Sequence, residues 1–144
     1  MRDDDRIIGN NALAVINSIF NQKKDLKLLY TGSLVGQNQG KSKKVMYRLG
    51  KTFQYPEEVI KNNNFRHYPF LLDGLIAFKG DLLDLIDTTN MLNSEGEPYQ
   101  EAGEIIFGIN LLELAREHTM YLPELLLYRG NERFFVGSDS ILRK

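Results

Sequence analysis

The chain has 144 residues, of which 42% are hydrophobic and 26% charged, and its formal net charge is -1. Those values fit one globular domain or two very small ones, and they exclude a disordered chain or one with a global basic field for nucleic acid or membrane. There is no cysteine, which excludes disulfides, thiol catalysis and sulfur-ligated zinc.

The start, "MRDDDRIIGNN", sets five charges in its first six residues. No apolar core of a secretory signal follows, and no apolar run approaches the ~20 residues of a membrane span. The expected location is the cytoplasm, unless the protein leaves as part of a particle. Ile8, Ala12, Val15, Ile16, Ile19 and Phe20 recur at helical spacing, which predicts an amphipathic helix over 8–20. "LKLLYTGSLV", 26–35, is rich in strand formers. "GQNQGKSKK" is a polar loop, and "VMYRLGKTF" alternates Val45, Tyr47 and Leu49 inward with polar residues outward. The prediction is a hairpin with a long basic tip. Lys41, Lys43 and Lys44 of that tip are expected to meet acidic groups of another protein, with Val45 and Tyr47 extending a sheet behind them.

"YPEEVIKNNN" reads as a short helix with Pro56 in its first turn and the asparagines as its stop. "HYPFLLDGLIAF", 67–78, is apolar and partly extended, and "GDLLDLIDTTNML" is helical with Leu82, Leu85 and Ile86 on one face. "NSEGEPYQEAG", 93–103, collects Gly, Pro, Ser and acids, so it is the expected linker between regions 1–95 and 103–144. After it, "EIIF" reads as a strand and "INLLELAREHT" as a helix with Leu111, Leu114, Ala115 and His118 on one face. A second helix is expected from Pro123 through Leu125, Leu126 and Tyr128, closed by Gly130 and Asn131. "RFFVGSDSIL" is strand-like.

No stretch carries a complete catalytic signature. "GQNQGKS" lacks the first glycine of a phosphate-binding loop, with Val35 in its place, and a strand rather than a helix follows. "KSKK" with Arg48 and Lys51 has the flavour of a DNA-contacting wing, but only one helix precedes it, too few for a winged helix. His67 and His118 lack metal-binding partners at useful spacing. Asp81, Asp84 and Asp87 fall on the face opposite the leucines, where a solvated face belongs. No nucleophile elbow is present. The expectation is no catalysis, no cofactor and no metal.

The last segment resembles a LysM domain. Gly108 stands at the family's turn glycine, Leu111, Leu114 and Ala115 match its first helix, and Leu122, Glu124, Leu125 and Leu126 match its second. Asn131, Gly137 and Ile141 fit the terminal asparagine, closing turn and last strand. The elements read along the chain make it α+β, with an N-terminal helix and hairpin region, and the resemblance implies that a small β-α-α-β unit over 103–144 follows. Leu111, Leu114, Ala115, Leu125 and Leu126 would form the core of that unit. Ile109 and Asn110 replace the family's usual Asp and Thr in the sugar-cradling loop, so the resemblance implies a fold kept without its glycan. LysM-like domains also occur in tail and baseplate proteins of contractile phages. The resemblance therefore points to a structural, non-enzymatic assembly protein acting through protein–protein contacts. The other readings are a peptidoglycan-binding module, a small cytoplasmic inhibitor or immunity-type protein, and a nucleic-acid binder using the lysine tip.

Overall fold

A computed structural model of the chain describes residues 5–38, 45–99 and 102–130. Their strands are β1 (Arg6–Ile7), β2 (Leu28–Asn38), β3 (Val45–Leu49), β4 (Ile76–Phe78) and β5 (Thr119–Arg129). The helices are α1 (Ala12–Gln22), α2 (Glu57–Lys61), α3 (Asp81–Leu85) and α4 (Gly103–Ala115). Short 3-10 turns at Phe65–His67, Thr88–Met91 and Arg116–His118 join them. The chain is thus mixed α and β.

All five strands form one sheet around β2. On one side β2 pairs in parallel with β5 from Leu28↔Thr119 to Val35↔Arg129. On its other side two antiparallel strands lie end to end, β4 against Leu28–Tyr30 and β3 against Leu34–Asn38. β1 closes the far edge by pairing with Leu127 and Tyr128. Strands from both expected regions therefore share one sheet.

Alternation along β2 sends its apolar side chains to two cores. Leu28 and Tyr30 pack with Tyr55, Phe65, Leu71, Leu72 and Leu82, and with Leu111, Leu112 and Ala115 of α4. Leu29 packs on the opposite face with Leu122 and Leu126 of β5 and with Ala12 and Ile16 of α1. The predicted amphipathic stripe is the one α1 uses, although its helix begins at Ala12 and Ile8 instead donates its N–H to Leu126 O (2.9 Å). α2 starts after Pro56 as expected, and Asn63, at φ 52°, closes it. The guanidinium of Arg66 grips the Glu113 carboxylate at 2.9–3.2 Å, tying the first 3-10 turn to α4.

Region 103–130 corrects the expected β-α-α-β order. "EIIF" is not a strand but the first turns of α4, and the expected second helix is the strand β5. α4 is buried nearly all round, so its apolar residues have no single-face periodicity to separate them from a buried strand. Gly108 is not a turn residue. It lies inside α4, where a Cβ would sit 2.8 Å from the Phe70 ring. At Arg116 the chain takes φ 48°, ending the helix and turning into β5. Pro123 does not begin a helix. The ladder passes from Thr31↔Leu122 to Gly32↔Leu125, so Pro123 and Glu124 form a bulge where no N–H is required.

Of the expected module core, Leu111 and Ala115 are fully buried and Leu126 is buried, whereas Leu114 is 37% exposed. Only the backbone of Leu125 is described, and 131–144, with Gly137 and Ile141, lie outside the described residues. Leu111→Ala should therefore destabilise the protein by about 2–5 kcal/mol, and Leu114→Ala by clearly less. Urea unfolding of the two variants measures this, and equal losses would contradict the burial.

Two tyrosines organise the larger core. Tyr30 Oη donates to Phe53 O (2.8 Å) and accepts from Tyr55 N (3.0 Å), while Tyr55 Oη accepts from Leu71 N (2.9 Å). Burial pushes both hydroxyls above their ordinary pKa of 10.0. A raised acid keeps its stabilising, neutral form below the unfolded value, and stability falls as pH climbs past that value because only the unfolded chain ionises freely. Tyr55→Phe should cost about 1–3 kcal/mol at pH 7 by orphaning Leu71 N–H. That deficit should shrink above pH 10 in urea titrations, and a constant deficit would show that the hydroxyl ionises equally in both states.

Candidate interaction surface

The second half of β2 has β3 beside it, the outermost strand on that side among the described residues. Gly50 N donates to Ser33 O (2.8 Å), which makes 33/50 a hydrogen-bonded pair. Alternation then makes Leu34/Leu49, Gly36/Tyr47 and Asn38/Val45 the non-bonded pairs. The N–H and C=O groups of Val45, Tyr47 and Leu49 consequently point away from β2, toward a side that has no further strand among the described residues.

The side chains of Tyr47 and Leu49 share one face of β3, two residues apart. They are 61% and 64% exposed, and Phe53 just beyond them is 48% exposed. This corrects the expected inward orientation. The period of two is right, but the face it selects is solvent-exposed. The Tyr47 ring lies 6.1 Å from that of Tyr128 on β5. Of the other exposed apolar residues, Leu13 lies on α1, Leu83 and Leu85 on α3, Leu114 on α4 and Ile7 on the short edge strand β1. Of the predicted interface, Val45 is described by its backbone alone, and Lys41, Lys43 and Lys44 lie outside the described residues.

A second feature is a cleft of about 360 Å³ with an apolar wall that includes Phe70, Leu72, Phe107 and Leu127, bordered by Asp5, Asp73 and Glu104. Asp73 is committed inside the protein. Its Oδ2 accepts from Ser33 Oγ (3.0 Å), and its Oδ1 pairs with Arg129. The two side chains are 10% and 3% exposed. Asp5 and Glu104 also have partners. The Asp73 carboxylate is thus a structural anchor joining the chain before β4 to the middle of β2 and the end of β5. Nothing in the sequence pairs Asp73 with Arg129, 56 residues away.

The remaining candidates are dispersed. His67 is exposed, and His118, which is not on a helical apolar face, lies 3.4 Å from Glu117 in the last 3-10 turn. Asp81, Asp84 and Asp87 are all exposed. Lys27 Nζ bonds Asp81 at 2.7 Å and holds its carboxyl below the usual range, and Thr89 does the same for Asp87. Among the described residues, no three His, Asp or Glu side chains are grouped to hold a metal ion, and no helix is long and apolar enough to cross a membrane.

Removing one partner of a buried ion pair takes a neutralising charge from the other. Asp73→Ala should therefore lower stability by about 3–5 kcal/mol, and combining Asp73→Leu with Arg129→Met should recover part of that loss. Chemical denaturation of the variants tests this, and a mild effect of Asp73→Ala would show that Arg129 is satisfied without it. No protein-family model matches the chain, and neither a curated protein nor a solved structure is significantly similar to it.

Proposed function

We propose that the chain is a non-enzymatic protein-interaction subunit that enters a larger assembly through the β3 edge of its sheet. The observation that supports this is the combination on one strand of backbone groups with no strand partner among the described residues and two adjacent apolar side chains, Tyr47 and Leu49, each more than half exposed. An open edge of this kind is a template for another chain. The sequence around it adds charge: no Asp or Glu occurs between Asp25 and Glu57, a stretch holding six Lys and Arg residues. A place in a phage tail or baseplate was an implication of the two-helix module, and Pro123–Arg129 is strand. The partner is accordingly described here by chemistry alone.

Tyr47→Ser combined with Leu49→Ser tests the reading. Both side chains face solvent, and Tyr47 has one cross-strand ring neighbour, so the double variant should shift stability by no more than about 1 kcal/mol. A photo-crosslinking amino acid at position 53, exposed and four residues beyond Leu49, should give a discrete protein adduct in the native host cell. The double variant should abolish that adduct. An unchanged adduct, or an adduct to nucleic acid, would overturn the proposal.

A further inference from the structure

We infer that a second cleft, walled by α4, the end of α3 and the first two 3-10 turns, binds a small organic cation: a head with N–H donors on a short apolar body. The inference is independent of the β3 surface. The cleft measures about 390 Å³, within the range of small-ligand sites.

Asn110 sets this cleft apart. It lines the cleft from within α4, yet only 5% of its surface is exposed. Its side-chain nitrogen donates to Ile106 O (2.9 Å) and reaches the Met91 sulfur at 3.5 Å. Its Oδ1 accepts no bond among the described residues and is not sealed from solvent, so it opens on the cleft. Asparagine is a poor residue for a helix interior, and a buried amide with an unused acceptor costs free energy that leucine there would not. Departures of this kind concentrate at functional sites. The bland alternative is a side chain that satisfies itself on the preceding turn. It accounts for the nitrogen and not for the oxygen.

The rest of the wall has matching chemistry. Glu113 and Leu114 lie three and four residues after Asn110, on the same face of α4. Arg66 uses Nε and Nη2 on Glu113, and that pair is neutral. Asp87 is exposed; its Oδ1 accepts from the N–H and the hydroxyl of Thr89, and its Oδ2 accepts nothing among the described residues. One cation against two carboxylates leaves the described lining with one unbalanced negative charge. Carboxylates and the amide oxygen only accept hydrogen bonds, so the ligand must bring the donors. The exposed side chains of Leu85 and Leu114 offer its body apolar surface. An anion could use the remaining Arg66 nitrogen only in the company of two carboxylates.

The test uses the full chain and n-butylguanidinium, followed by heteronuclear NMR. The cation should bind with a Kd on the order of 1 mM, as befits so small a probe. It should shift the Asn110 side-chain amide and the methyl groups of Leu85 and Leu114. Pentanoate reverses the charge, and n-butyltrimethylammonium keeps the charge without N–H groups. Each should bind at least about tenfold more weakly. Asn110→Leu should weaken n-butylguanidinium about tenfold, the size of one hydrogen bond to a charged group. Asp87→Asn keeps an oxygen for Thr89 and removes the charge, and should weaken it about threefold, an effect that added salt reduces.

The cation site is overturned if n-butylguanidinium does not bind, or if pentanoate or n-butyltrimethylammonium binds equally well. Shifts confined to residues outside the cleft, or an unchanged affinity in Asn110→Leu, also overturn it. Should Asn110→Leu fail to fold, an unchanged affinity in Asp87→Asn is sufficient to do so.

Discussion

Everything in this molecule is referred to β2. The strand is bonded along both sides, and Leu28, Leu29, Tyr30, Thr31 and Ser33 have no measurable exposure. Its partner β5 lies about ninety residues away along the chain, so the central pairing closes a long loop before it gains any contact energy. What repays that closure is burial on two faces at once, with α4 over one and α1 over the other. Loss of the β2–β5 pairing would separate both cores together.

The weak point of such a strand is the gap between β4 and β3, where Thr31 to Ser33 have no strand on that side. The chain at 73–75 fills it. Thr31 N donates to Leu75 O, Leu75 N donates to Thr31 Oγ1, and Ser33 Oγ donates to Asp73. The approach is so close that a Cβ on Gly74 would lie 2.1 Å from Thr31 O, and one on Gly50 2.2 Å from Ser33 Oγ. Two glycines and a carboxylate thus do the work of a missing strand segment. The same part of β2 faces the β5 bulge, so irregularity on one side is matched by side-chain bonding on the other. A buried Asp73–Arg129 pair in that place supports a single register, since a slipped strand would separate the charges.

How much of this was legible follows from the kind of signal each element carries. The α1 stripe, the β2–β3 hairpin and the Pro56 helix start announce themselves within a few residues, and the chain uses them. β5 does not. Its apolar run is continuous because the strand is covered on both faces, and a doubly covered strand has no alternation to read. Pro123 then imitated a helix start because the bulge that accommodates it depends on β2, far away in sequence. The buried half of α4 was hidden for the same reason. β3 was legible as a strand, from "VMYRLGKTF", but its outward apolar face was not, because whether a strand face is covered depends on elements distant in sequence.

That last point bears on why Tyr47 is suited to contact. An exposed tyrosine normally loses side-chain freedom when it docks. Here the Tyr128 hydroxyl lies over Gly36, at a position a Cβ would approach to 2.3 Å, and the Tyr128 ring stands 6.1 Å from that of Tyr47. The absent side chain at Gly36 lets β5 reach across β2 and buttress the outermost strand. Rigid aromatic contact area costs less to immobilise than a free side chain. Tyr128 also pairs through its backbone with Arg6 of β1. The two edges of the sheet are therefore linked through one residue, and the rigidity of the exposed edge derives from the same β2–β5 pairing that holds the cores.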